Sequence, residues 1–188
     1  MTSDAHERAC DRTAEAMLTI EKEMGNQVDV VVMVQGDEPM VTPGMISASL
    51  EPFSDESVNV VNLMATIHSD REFEDPNEIK VVVDRQGYAI YFSREPIPTR
   101  KKDFREVPML KQICIIPFRR DYLLEFNNTK QTILERIESI DMLRVIESGG
   151  RVHMVMTEHP SIGVDTPRDL ETVTALMDGE LLMREYLS

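Results

Sequence analysis

Residues 28–41 read VDVVVMVQGDEPMV. An unbroken apolar run ends at Gln35-Gly36, two acids follow at once, and Pro39 bars any continuation of the strand. A run of Val and Met closed by turn residues is the pattern of a strand covered on both faces, as in a parallel sheet. In open α/β sheets ligands bind beyond the carboxyl ends of the strands. Asp37 therefore stands where chemistry is expected.

The flanking segments extend the pattern. Residues 4–24 predict an amphipathic helix, with Asp4-x-x-Glu7 at its start, Ala9, Thr13, Met17, Ile20 and Met24 on one face, and Gly25-Asn26 ending it. Pro43-Gly44 opens a second helix over about 45–52, and VNVVNLMATI (58–67) predicts a strand. Ile79–Val83 and Tyr88–Phe92, joined by Asp84-Arg85-Gln86-Gly87, predict a β-hairpin. Pro96–Glu106 is basic and carries prolines, so it reads as a surface loop. KQICIIPF is a further strand, RRDYLLEF a helix, Thr132–Gly149 one helix ended by Gly149-Gly150, and Arg151–Thr157 the last strand. A helix from Thr166 to about Met177 follows, with Pro167 at its first position and Asp169 closing a capping box. Strands alternate with helices and one hairpin interrupts them. The expectation is a single α/β domain over 1–188 with a mixed, mostly parallel sheet.

Composition sets the outer limits. The chain has 188 residues, 41% hydrophobic and 29% charged, as expected of one globular domain. It has 13 Met and no Trp, so the core should be aliphatic and adaptable. A net charge of −14 disfavours nucleic-acid polymers and anionic membrane surfaces as partners. Cys10 and Cys114 have no ligand-like spacing and read as reduced thiols. The first residues lack the apolar stretch of a signal peptide and no run is long enough to span a bilayer, so the expected compartment is the cytoplasm. Serine-hydrolase, P-loop and dinucleotide-binding fingerprints are absent, and His6, His68, His153 and His159 show no metal-ligand spacing.

The second acid of interest is Asp165, which the helix start at Thr166 holds in place. Two carboxylates brought to one mouth of a sheet can hold Mg²⁺ together with substrate phosphates. Spacing alone leaves open the alternative that GDEP is a turn and Asp165 a capping acid. Arg94, after the hairpin, can clamp a carboxylate, and Arg12 can face a phosphate or base; for both, solvent exposure is the competing reading.

Four stretches, VVMVQGDEPMV, EIKVVVDRQGYAIYFSREPIP, LERIESIDMLRVIESGGRVHMV and GVDTPRDLETV, taken in order, resemble the 3-deoxy-D-manno-octulosonate (KDO) cytidylyltransferases, or CMP-KDO synthetases. The opening MTSDAHERACDR is similar to that family's TSDDH…GTDR segment. The resemblance covers the chain to about Met177 and favours the metal reading. It implies a Rossmann-like three-layer nucleotidyltransferase fold with a hairpin excursion, a homodimer, and transfer of CMP from CTP to a sugar acid with release of pyrophosphate. It further implies that Asp37 and Asp165 are the catalytic Mg²⁺ ligands and that Gln35 and Arg12 lie near the nucleotide. Arg94, Gln112 and Asp141 fall on the sugar-acid side.

Two departures shape the expectations. The family domain opens with a strand and a basic loop of the type IPARxxSxRLPGKPL, which has no counterpart here. Met1 aligns inside the family domain, so the chain is expected to be an N-terminally incomplete piece of a larger enzyme. In the sugar pocket the family's RHxGIY becomes Lys111-Gln112-Ile113-Cys114-Ile115-Ile116, its acid-amide pair becomes Asp141-Met142, and its SGT becomes Arg8-Ala9-Cys10. Lost hydrogen-bonding groups change discrimination among hydroxylated substrates. The readings are thus a KDO cytidylyltransferase, the same chemistry on another ulosonate or nonulosonate acid, or a non-catalytic piece that only dimerises or binds a partner.

Overall fold

The structure, a computed structural model, describes residues 1–101, 107–159 and 161–178. Seven strands are present among them: β1 (Val30–Val34), β2 (Val61–Thr66), β3 (Lys80–Val83), β4 (Ala89–Ser93), β5 (Leu110–Ile113), β6 (Ile115–Arg119) and β7 (His153–Met156). The helices are α1 (Ala9–Met24), α2 (Pro43–Leu50), α3 (Asp70–Glu74), α4 (Arg120–Asn128), α5 (Ile133–Glu138), α6 (Met142–Glu147) and α7 (Pro167–Met177). The expected loop at Pro96–Glu106 is irregular as far as Lys101, and its last five residues lie outside the described ones.

Five strands form a sheet in the order β4-β3-β5-β2-β7, and β1 pairs with β6 in a second ladder. The two ladders share one path, because β5 and β6 are a single extended segment broken only at Cys114. The sheet is mixed, as expected, but its balance is antiparallel: β2–β7 is the parallel pair, while β1–β6, β2–β5, β3–β4 and β3–β5 run antiparallel. The expectation of a mostly parallel sheet came from the alternation of strands with helices and from the continuous apolar run of β1, neither of which fixes strand direction. β1 is also less covered than its composition suggests. Only Met33 is buried, Val34 is exposed, and β6 is its one partner among the described strands.

Side chains alternate along β2 and divide the core into two layers. Val60 and Met64 join Phe118, Leu123, Phe126, Leu143 and Val145 beneath α1, α4 and α6. Leu63 and Ala65 join Ile113, Ile115 and Met45 beneath α2. Helices therefore cover both faces of the sheet, the three-layer architecture expected.

Several local expectations are corrected. The first helix begins at Ala9, and Arg8 caps it without a side-chain bond. Residues 3–6 instead fold back along the helix, where the Ser3 N–H donates to Glu15 and His6 pairs with the same carboxylate. The buried face is Cys10, Ala14, Met17 and Glu21, while Ile20 and Met24 are exposed. Glu21 escapes a search for apolar periodicity because it is an acid. It is accommodated by Arg120, whose Nε and Nη2 lie 2.7 and 2.9 Å from its two oxygens. The predicted helix 132–149 is two helices, α5 and α6, separated by Ser139 in the left-handed region (φ 57°). The short helix α3 was not expected; Ser69 caps it by accepting from the Glu72 N–H. The hairpin forms as predicted, with Gly87 at φ 82° and the Asp84 carboxylate accepting from the Gln86 and Tyr88 N–H groups. The capping box of α7 forms as well.

Gly150, after α6, is closely approached. A Cβ there would lie 2.8 Å from Tyr122 Oη, 2.9 Å from Val145 Cγ1 and 3.1 Å from the Val145 carbonyl oxygen. Gly150→Ala is expected to destabilise the fold by about 1–3 kcal/mol, the usual cost of overpacking. Urea denaturation reads this as a lower midpoint at constant slope, and an unchanged midpoint would show that Tyr122 simply rotates away.

Candidate active site

A cleft of about 290 Å³ opens where the two ladders part at Cys114. Gln35, Asp37, Arg94, Gln112, Asp141 and Asp165 all line it. Arg12 does not: it is exposed, and its guanidinium donates to the carbonyls of Ser3 and His6. The arginine of this segment that reaches the cleft is Arg8, one turn earlier. A larger hollow of about 510 Å³ lies against Thr66, His68 and His159 and contains none of the predicted acids.

The β1 strand ends at the cleft, and the two acids after it separate in role. Asp37 is exposed toward the opening, whereas Glu38 turns inward and is buried. Glu38 Oε1 accepts the Cys114 N–H at 2.9 Å and Oε2 accepts the Ser161 hydroxyl at 2.7 Å. The Gln35 N–H donates to the Cys114 carbonyl at 3.3 Å, so both peptide groups at the strand break are used by the turn. The segment before α7 is tied on by the Val164 N–H, which donates to the Asp37 carbonyl at 2.9 Å. Asp165 follows immediately. Its carboxyl is raised above the usual carboxylate range by loss of water around it and next by the charge of Asp37, with Arg94 offsetting part of the rise. Two acids that repel each other, neither within ion-pair distance of a Lys or Arg among the described residues, favour a cation between them. No cluster of three or more metal-ligating side chains occurs among the described residues. The chain thus offers an open two-carboxylate site rather than a closed cage, which suits a hard cation that keeps water and phosphate ligands.

The same cleft carries cationic and amide side chains. Arg94 is fixed by Glu138: its N–H donates to Glu138 Oε2 at 2.9 Å and its Nε to the Glu138 carbonyl at 2.7 Å. Nη1 donates to the Pro76 carbonyl at 2.8 Å. These side-chain partners are neutral carbonyls, so the guanidinium keeps its charge for an anion. Glu138 also accepts from Ser93 Oγ and Tyr91 Oη, which locks the wall to β4. Gln112 donates its amide to Asn62 Oδ1, and Asn62 in turn donates to the carbonyls of Leu63 and Ile113.

The break between α5 and α6 delivers Asp141 to the cleft. Burial raises its carboxyl, and Arg8, with Nη1 3.2 Å from Oδ1, opposes that rise. The contact lies outside hydrogen-bond geometry, and Oδ1 has no donor. Oδ2 accepts from Cys10 Sγ at 3.3 Å. An unpartnered buried oxygen in a cleft wall is a ready acceptor for a ligand hydroxyl. Burial pushes both thiols up, Cys10 with Asp141 adding and Cys114 with Glu38 and Asp37 adding, so neither supplies a thiolate nucleophile.

The family model for cytidylyltransferases matches residues 1–157. The chain belongs to the cytidylyltransferase family. Among its cytidylyltransferase relatives, the 3-deoxy-manno-octulosonate cytidylyltransferase of Geotalea uraniireducens (strain Rf4) is 40% identical over 184 residues, spanning 92% of this chain and 71% of that protein. The enzyme of the same name from Solibacter usitatus (strain Ellin6076) is 38% identical over 183 residues, spanning 97% of this chain and 70% of that one. Among solved structures, CMP:2-keto-3-deoxy-manno-octonic acid synthetase complexed with CTP superposes with a TM-score of 0.84 at 34% identity. That match covers 96% of this chain and 72% of that one. The fold is therefore that of a cytidylyltransferase. Glu38, Glu138 and Arg8 shape the cleft but were given no role by sequence reasoning, which noted Arg8 only as a departure from the family's SGT. The adjacency of Glu38 to Asp37 was a signal for the first, whereas nothing local marks the other two.

Proposed function

We propose that this cytidylyltransferase transfers CMP from CTP to KDO or a closely similar sugar acid, releasing pyrophosphate, and so activates a lipopolysaccharide precursor. The observation that carries the reading is the Asp37–Val164 bond, which ties the Asp165 segment to the Asp37 turn in a cleft that Arg94 also lines. The relatives' shared activity on 3-deoxy-manno-octulosonate supports the choice of acid. No helix among the described residues is long and apolar enough to cross a membrane. The resemblance implies a homodimer, and the sequence itself carries the expectation of a cytoplasmic setting.

An anionic acid must approach an anionic triphosphate, so the site has to separate binding of the acid from repulsion. Arg94 holds the carboxylate, with its planar fork already oriented by Glu138. Asp141 Oδ1 accepts from a hydroxyl of the acid, and Arg8 opposes the rise that burial imposes on that carboxylate. These contacts leave the anomeric hydroxyl free to attack the α-phosphorus as the bond to pyrophosphate breaks. Mg²⁺ held by Asp37 and Asp165 would supply neutralisation of the phosphate charge. Gln35, just after β1, lines the same cleft and is the residue assigned here to the nucleotide.

Arg94→Lys is expected to raise KM for the acid by roughly ten- to a hundredfold with a much smaller change for CTP, because a point charge replaces a bidentate fork. Steady-state pyrophosphate release checks this, and equal changes for both substrates would remove Arg94 from the acid subsite. Measured across a panel of acids with CTP and Mg²⁺, the same assay tests the function itself. Release with KDO supports it, and release with none of the acids contradicts it. A preference for another ulosonate would assign the differences at Gln112, Ile116 and Met142, which all line the cleft, to substrate choice.

A further inference from the structure

Asp37 and Asp165 come from loops that share no helix or strand, yet a two-carboxylate cation site works only at fixed spacing. Mg²⁺ in particular demands near-ideal geometry at short range. Beyond the Asp37–Val164 backbone bond, what spans the two loops is the Glu38 side chain. One oxygen takes the peptide N–H of Cys114 at the strand break, and the other takes the hydroxyl of Ser161, four residues before Asp165. Ser161 is held from its other side, since its carbonyl accepts from Lys111 Nζ at 3.0 Å. Lys111 itself is buried and fixed by Glu72 at 2.7 Å and Glu78 at 3.1 Å. The loop bearing Asp165 thus hangs between Glu38 and Lys111, with α7 capped at its far end.

We infer that Glu38 is a positioning residue, whose buried carboxylate clamps the Asp37 turn and the Asp165 loop to the β5–β6 break and so sets the spacing of the two metal-binding acids. The inference rests on the metal role given to those acids above. Burying a carboxylate with no Lys or Arg in ion-pair distance among the described residues is costly, and a turn needing only to be filled would hold an apolar side chain. Two hydrogen bonds to different loops are what an apolar residue cannot replace. Glu38 and Ser161 are buried and do not line the cleft, so loss of the clamp should appear first in cation affinity.

The test is calorimetric titration of Mg²⁺ into the full chain with CTP present, alongside the Mg²⁺ dependence of pyrophosphate release. Glu38→Met keeps the volume and removes both acceptors; it is expected to weaken Mg²⁺ binding roughly ten- to a hundredfold, the usual effect of losing a group that orients metal ligands. Glu38→Gln should recover most of that loss, because the Ser161 hydroxyl can accept from the amide. Ser161→Ala breaks one arm without disturbing the turn and should give an intermediate loss; it also serves if Glu38→Met fails to fold. Asp37→Asn separates the two levels. If Asp37→Asn abolishes Mg²⁺ binding while Glu38→Met and Ser161→Ala bind it as the wild type does, the clamp is overturned and the metal site stands. If Asp37→Asn itself binds Mg²⁺ normally, the metal reading fails and the clamp with it.

Discussion

Asp37→Asn is expected to lower kcat for cytidylyl transfer at least about a hundredfold. In the reaction proposed above the metal supplies several kcal/mol of charge stabilisation, and each 1.36 kcal/mol is tenfold in rate. The substitution keeps the turn intact, because the bond to Val164 comes from the Asp37 backbone and not from its carboxylate. Asp165→Asn should give a loss of similar size. The double variant should be little worse than either single one, since groups acting as a unit are not additive. Pyrophosphate release at saturating CTP checks all three, with melting temperature confirming that each variant is folded. A clean product of two independent losses would mean that the acids do not share one cation.

The largest expected effect on stability lies elsewhere, at Arg144. Its Nε lies 2.8 Å from Oε2 of Glu135, which is fully buried, and its Nη1 donates to the carbonyls of Phe126 and Thr129. The guanidinium also stacks 4.2 Å above the Phe126 ring. Arg144→Met leaves Glu135 as an uncompensated buried charge and is expected to cost about 3–5 kcal/mol. The companion expectation has the opposite sign: pairing Arg144→Met with Glu135→Leu should recover much of the loss, since apolar replacements of a buried ion pair are often tolerated. Urea denaturation of the wild type, the single variants and the double variant gives both numbers. A single variant within 1 kcal/mol of wild type would mean that water reaches Glu135.

What could be read from the sequence was what neighbouring residues determine. The Asp84–Gly87 turn, the Thr166/Asp169 capping box and the stop after Val34 are local chemistry, and each appears where expected. Strand direction is not local, so the balance of the sheet was misjudged. The break at Ser139 was hidden because the left-handed position carries no glycine, while apolar residues continue in helical register on both sides. That break is what presents Asp141 to the cleft. Spacing alone left GDEP and Asp165 undecided between a turn with a capping acid and a metal site, and the resemblance favoured the second. The structure shows why the two were hard to separate: α7 does begin beside Asp165, and the GDEP turn is held by a buried acid. Arg12 and Arg8 differ by one turn of α1, a distinction set by how residues 3–6 fold back and invisible to motif matching.

The most direct test is anomalous diffraction from crystals of the chain grown with CTP and Mn²⁺ in place of Mg²⁺. The predicted result is a single strong peak bridging the carboxylates of Asp37 and Asp165, with triphosphate oxygens completing its shell. A peak remote from both aspartates, with CTP bound outside the cleft, would contradict the account.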